Sequence, residues 1–205
     1  MDITPRRGRR KTAKDEQREH TRAKLIEAAR RLFWKHGYDD VPVTEIAQEA
    51  GVTHSMINAY FGGKPGLLYE IVKANNAPQY DDSISIRDEA GPADQRLSKL
   101  LQSWARVDGS EPRMLAVMEG YSWVWTPQNE AENAVDRARF TRVIAEILDQ
   151  GVTSGEFSLR GDTADAAAAI FAIFTWGLRG VIFDEKSPDD CHADIMRQVR
   201  LITGS

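Results

Sequence analysis

From Thr21 onward the apolar residues fall at helical spacing. Leu25, Ile26, Ala28, Ala29, Leu32 and Phe33 share one side, while Arg22, Glu27, Arg30 and Arg31 fill the other. This first helix is expected to stop at His36-Gly37, where a left-handed residue ends it. A second helix starts near Pro42, because proline suits the first helical position, and runs to Ala50 before Gly51. A short third helix follows Val52 and ends near Tyr60, ahead of Gly62-Gly63, and Lys64-Pro65 opens a fourth from Gly66 to about residue 75. A polar joint, Ala77–Gly91, then precedes five more helical patterns. They run over Ala93–Val107, Pro112–Trp125, Glu130–Gln150, Thr163–Phe183 and about Asp189–Ile202. No β alternation and no internal repeat occurs, so the expected fold is all-α.

The segment from Val43 to Ile57 carries the most information. Two helices crossing steeply need a small residue at the crossing, a glycine in the turn and apolar residues that lock the second helix down. Ala47, Gly51, and the set Ile46, Val52 and Ile57 supply these in order. That is the pattern of a helix-turn-helix, although an ordinary helical hairpin shares it. The second helix of such a motif presents its N-terminal residues to base edges in the major groove. Here those residues are Thr53, His54, Ser55 and Asn58, all able to hydrogen-bond as base readout requires.

Charge sharpens the picture. The whole chain of 205 residues has 27 Lys+Arg against 31 Asp+Glu, a net charge of −4 that taken alone argues against DNA. Its distribution reverses that. Residues 1–24 hold nine bases and four acids, the first 75 residues sum to +4, and everything after them to −8. Such asymmetry marks a nucleic-acid-facing part joined to a part that faces something else. The opening run, with Arg6, Arg7, Arg9, Arg10 and Lys11, reads as a flexible basic arm over residues 1–20. It either contacts phosphates or a minor groove, or serves as a solubilising tail.

The stretch beginning at Thr21 resembles the DNA-binding domain of the TetR/AcrR family of bacterial regulators. The matching elements are Ala28-Ala29, Leu32-Phe33, Gly37-Tyr38, Ile46-Ala47, Ala50-Gly51-Val52, Tyr60-Phe61, Lys64 and Leu67-Leu68, which cover about a quarter of the chain. The resemblance implies a homodimeric transcription factor, usually a repressor, that binds a double-stranded DNA operator. It also implies a small-molecule effector pocket in a divergent C-terminal domain. The domains are then 1–20 for the arm, 21–65 for the helix-turn-helix and 66–205 for effector binding and dimerisation. Candidate DNA contacts are Arg9, Arg10, Lys11, Thr44, Thr53, His54, Ser55, Asn58, Tyr60 and Lys64. Two departures stand out. Pro42 sits where relatives place a capping hydroxyl, and His54 and Asn58 replace the lysine and phosphate-binding tyrosine usual in the recognition helix. These substitutions are also the best support for the alternative reading, a helical ligand-binding or adaptor protein with a vestigial helix-turn-helix.

In the C-terminal part, Tyr121, Trp123 and Trp125 place large rings on several faces of one helix, more than one packing seam needs. A pocket lined by such rings and a few polar groups suits a small molecule. Trp104, Met118, Tyr121, Trp125 and Phe174 are the candidate lining residues, and Arg142 is a candidate partner for an anionic effector. The helix Thr163–Phe183 is apolar nearly all round. Ala166, Ala169, Ile173, Gly177 and Gly180 form a stripe of close approach, which the resemblance assigns with the last helix to a dimer interface.

The remaining chemistry is sparse. Four scattered histidines and the single Cys191 lack metal-ligand spacing, and no nucleophile elbow or phosphate loop occurs, so no metal, no cofactor and no enzymatic activity are expected. Cys191 reads as an inert thiol or a redox sensor. With no disulfide framework and no apolar leader after the basic start, a cytoplasmic location is expected. The most apolar stretch, Ala166–Leu178, has 13 residues, too short for a bilayer, so no membrane partner is expected.

Overall fold

A computed structural model describes residues 12–123 and 125–204, with ten α-helices and no strand among them. The chain divides into two compact units between Glu70 and Ile71. That is five residues beyond the boundary expected from sequence, because the apolar turn Leu67-Leu68-Tyr69 is buried in the first unit.

The first unit holds α1 (Ala13–His36), α2 (Val43–Glu49), α3 (Ser55–Phe61) and the opening turns of α4 (Lys64–Arg87). Helix α1 starts eight residues earlier than its apolar pattern implies, so residues 13–20 of the expected arm are helical. The cause is electrostatic. The Thr12 hydroxyl accepts from the Asp15 amide at 3.2 Å while the Asp15 carboxylate accepts from the Thr12 amide at 3.0 Å, a closed capping box. Ala13–His20 are all exposed, so no buried stripe marks them in the sequence. From Leu25 the helix turns its apolar side inward, and Leu25, Ala28, Ala29 and Phe33 join Val41, Ile46, Ala47, Ile57 and Leu67 in the core.

The second unit holds the rest of α4, α5 (Ala93–Asp108), α6 (Pro112–Ser122), α7 (Pro127–Ser154), α8 (Thr163–Gly177), α9 (Arg179–Phe183) and α10 (Pro188–Thr203). Helix α4 does not stop near residue 75 but continues through Pro78, and the expected joint Ala77–Gly91 is helical to Arg87. Packing overrides the proline: Tyr80, Ile84 and Ile86 lie against the core, and buried Ser83 accepts a 2.8 Å hydrogen bond from Trp104 Nε1. Helix α6 ends at Ser122, short of Trp125, and α7 begins at Pro127 behind a Thr126 cap. The long apolar helix is broken at Leu178 into α8 and α9.

Trp104 of α5 sits at the centre of this unit, edge-on to Phe140 at 5.3 Å and Phe174 at 5.5 Å. Helix α8 packs between α7 and α10, and α10 closes against α5. One expectation is corrected here. The apolar run Thr163–Phe183 is 21 residues long, which by length and composition is enough to cross a membrane. Counting only between the flanking charges Asp165 and Arg179 gives the shorter stretch, but a run of this length accommodates both. One side of it, Ile170, Phe174, Leu178 and Val181, is buried in the protein core.

Candidate nucleic-acid interface and effector cavity

The turn between α2 and α3 is built as its sequence demands. Gly51 adopts a positive φ of 68°, which a side chain would strain, and the Val52 amide bonds back to the Ala47 carbonyl at 2.9 Å. Ile46, Ala47 and Ile57 are buried and fix the crossing. That leaves Thr53 and His54 exposed just ahead of α3 and Ser55 and Asn58 exposed on it, with Thr44 exposed near the start of α2. Thr53 and Ser55 hydroxyls lie 3.0 Å apart and order the entry to α3. Pro42 is the N-cap of α2 rather than its first helical residue, and it offers no side-chain cap.

Two candidate contacts are committed within the unit. Lys64 lies over the Tyr38 ring at 4.3 Å and the Phe33 ring at 5.7 Å, with Nζ 3.5 Å from the Asp39 carbonyl. Burial pulls its pKa below the usual 10.5, opposed by Asp39 and Asp40. Tyr60 is half-buried. Its carbonyl accepts from Arg22 at 2.7 Å, and the Arg18 guanidinium stands 5.5 Å from its ring. Arg22 also pairs with Glu70 at 3.1 Å and covers Phe61 at 4.7 Å. Arg18 and Arg22 thus organise the end of α3, a role that the sequence reading does not assign them. Their spacing of four residues on α1 is the available signal. Arg9, Arg10 and Lys11 lie outside the described residues.

The second unit contains a cavity of about 650 Å³, within the range of small-molecule sites. Of the expected lining residues, Trp104, Met118, Trp125 and Phe174 face it, joined by Phe140 and Phe171. Tyr121 and Arg142 do not line it. Along α6, Met118, Glu119 and Ser122 share the cavity side and Tyr121 falls to one flank. Along α7 the cavity side is Ala134, Arg137, Ala138 and Thr141, so Arg142 is turned to solvent.

The polar lining goes beyond the sequence expectation. Asp108, the last residue of α5, faces the cavity and accepts a 3.3 Å hydrogen bond from Gln79 of α4. Burial, reinforced by repulsion from Glu119 and offset in part by Gln79, pushes its carboxyl up to about 7. Burial also raises Glu119, with Arg179 pulling the other way. Arg137 is a basic residue on the lining, and its guanidinium is held 2.7 Å from Glu130. The one available signal for Asp108 is its position four residues after Trp104, on the same helix face.

The five expected interface residues separate. Ala169 is exposed. Ala166 and Ile173 pack on the core of their own chain. A Cβ on Gly177 would lie 2.3 Å from Ile195 Cγ1, and one on Gly180 3.0 Å from Cys191 Sγ, so both glycines admit α10 and its approach within the chain. The exposed apolar side is instead Trp176 (71% exposed), Phe183 (64%) and Leu201 (85%). Arg179 stands 4.7 Å from both the Trp176 and Phe183 rings. Cys191 is buried, and burial raises its thiol pKa. Among the described residues no group of three or more His, Cys, Asp or Glu could hold a metal ion.

Two family models match the chain. Residues 25–71 match bacterial regulatory proteins of the tetR family, and residues 90–179 match a tetracyclin repressor-like C-terminal domain. The chain is 30% identical to the HTH-type transcriptional regulator BetI of Rhizobium meliloti over 134 residues, 65% of this chain and 63% of that one. It thus spans less than two thirds of that relative. It is 23% identical to the regulator SrpR of Pseudomonas putida over 188 residues, 92% of this chain and 84% of that one. In fold it resembles the regulator FadR of Bacillus subtilis in complex with stearoyl-CoA. The TM-score is 0.72 at 19% identity, covering 89% of this chain and 98% of that one.

Proposed function

The chain belongs to the TetR family of bacterial regulatory proteins, and on that premise we propose that it is a homodimeric repressor released from a palindromic operator by a small-molecule effector. The observation that carries this reading is the exposed entry and first turn of α3. Four hydrogen-bonding residues stand in solvent there while Ile57 anchors the helix from behind. Polar residues are ordinary on a solvent face, but these stand at the N-terminal end of the second helix of a helix-turn-helix, the end that meets base edges in a major groove. Thr53, His54, Ser55 and Asn58 read base edges, and Thr44, Tyr60 and the basic arm with Arg9, Arg10 and Lys11 hold phosphates. Because Pro42 gives no hydroxyl to a phosphate, the arm carries a larger share of backbone affinity.

The effector occupies the cavity of the second unit. Helix α4 bears Val72, Asn76 and Gln79 on that cavity and Lys64 in the unit that holds α3, so it is the element through which occupancy biases DNA binding. The effector shifts the balance only by binding one state more tightly than the other. A second copy covers Trp176, Phe183 and Leu201, making the dimer that a two-fold operator requires. The protein acts in the cytoplasm and catalyses no reaction.

Selection from random genomic fragments tests the reading. The expected result is a sequence-selective shift that His54→Ala with Asn58→Ala abolishes while the fold, read by circular dichroism, is kept. No selective shift at low salt would favour an adaptor whose helix-turn-helix no longer binds DNA.

A further inference from the structure

The cavity described above is aromatic, and its charge is one-sided. Trp104, Trp125, Phe140, Phe171 and Phe174 supply ring faces and edges. Asp108 and Glu119 put two carboxyls on the lining. The guanidinium on the lining, Arg137, is already engaged by Glu130. Asp108 is also the C-terminal residue of α5, where the helix's own dipole adds negative potential to that of the carboxylate. A negative charge at the negative end of a helix, in an apolar surround, is unfavourable until a positive charge arrives. Without a bound cation that charge is relieved only by a proton, so cation and proton compete for the same carboxyl.

Resting on the reading of this protein as an effector-controlled regulator, we propose that its cavity takes an organic cation, an amine, quaternary ammonium or phosphonium carrying apolar groups. The charged head lies against Asp108, with Glu119 as second counter-charge, and the apolar groups spread over the rings. Ring faces attract cations as well as apolar surface, so the two parts of the site favour the same ligand. An anionic effector would meet two carboxyls and a guanidinium already spoken for. A ligand of the acyl-CoA class, such as the stearoyl-CoA of the structural neighbour, would bring phosphates that this lining does not neutralise. Cation binding also draws the proton off Asp108, so affinity rises with pH through the neutral range. Of the other charged groups nearby, Glu119 on α6 acts in the same sense, and Arg137 on α7 and Arg179 on α9 are the basic groups that oppose it.

A matched pair of probes tests this. Tetraphenylphosphonium and tetraphenylborate have nearly the same shape and opposite charge, and both report through tryptophan fluorescence of the DNA-free full chain. The expected result is at least tenfold tighter binding of the phosphonium. Asp108→Asn, which keeps the Gln79 contact, should remove tenfold or more of that affinity, Glu119→Gln a smaller part, and Arg142→Ala none. Equal binding of the two probes, preference for the borate, binding of neither, or an Asp108→Asn protein that folds and binds the phosphonium unchanged would each overturn the proposal. Release of a selected operator fragment is then measured. A protein that holds a fragment but ignores the phosphonium sinks this inference alone, while one that binds the phosphonium but no fragment sinks the regulator reading.

Discussion

Asp108 closes α5 with a carboxyl that burial holds near 7 in the folded chain against its usual 3.8. The sign of the resulting pH dependence follows from linkage. The folded state keeps the proton more tightly, so this group's stabilising contribution is complete below 3.8 and is lost as pH rises through about 7. The gap corresponds to up to about 4 kcal/mol. Asp108→Asn should therefore be more stable than the parent at pH 8 and not at pH 4, read from urea unfolding at the two pH values. An equal difference at both would show that the carboxyl titrates normally. Gly177 tests packing at the same scale. Its missing side chain lets Ile195 of α10 approach, and a Cβ there would lie 2.3 Å from Ile195 Cγ1. Gly177→Ala should cost roughly 1–3 kcal/mol of unfolding free energy, independent of protein concentration. Were the glycine part of an interface between copies, its cost would shrink with dilution as the copies separate.

At the scale of elements, the helices legible in the sequence are those with a buried stripe and a punctuating glycine. The α2–α3 motif can be read residue by residue because every constraint on it is local: Ala47 at the crossing, Gly51 in the turn and Ile57 beneath. The first two turns of α1 are not legible, since they bury nothing and depend on the Thr12–Asp15 box. Helix α4 is hidden by Pro78, because a proline reads as a stop unless distant residues such as Trp104 hold the helix together beyond it. The cavity is half legible for a similar reason. Rings advertise themselves in a sequence, but which carboxyl is buried depends on helix faces brought together from far along the chain. Thr12→Ala removes the box and should cost α1 about 1 kcal/mol locally. Amide exchange should then speed up across residues 13–20, while the unfolding midpoint of the core barely moves. Unchanged protection there would mean that something other than the cap holds those turns.

For the whole molecule, the net charge of −4 divides into +4 over residues 1–75 and −8 over the rest. On the proposed function, an acidic second part would repel phosphates and leave DNA contact to the first unit and the arm, so that affinity would depend on a few bases and on having two copies of them. Deleting residues 1–11 removes five of those bases per copy. The slope of log affinity against log salt should flatten by about 0.9 for each phosphate that the shortened protein no longer neutralises, and an unchanged slope would leave the arm a solubilising tail. Pairing of the copies is tested separately. Trp176 and Phe183 border Asp194 and Gln198 of α10, and Leu201 lies three residues beyond Gln198 on the same side of that helix. Trp176→Glu with Leu201→Glu places two carboxylates on this apolar side without touching the buried core. The double variant should sediment as a monomer with its helical content kept. It should also bind a single half-site as the parent's monomer would, while forgoing the gain in affinity that a second half-site brings. A variant that stays dimeric would move the interface off this side of α8, α9 and α10, and one that is monomeric yet keeps the full two-site affinity would remove the dimer from the DNA-binding mechanism.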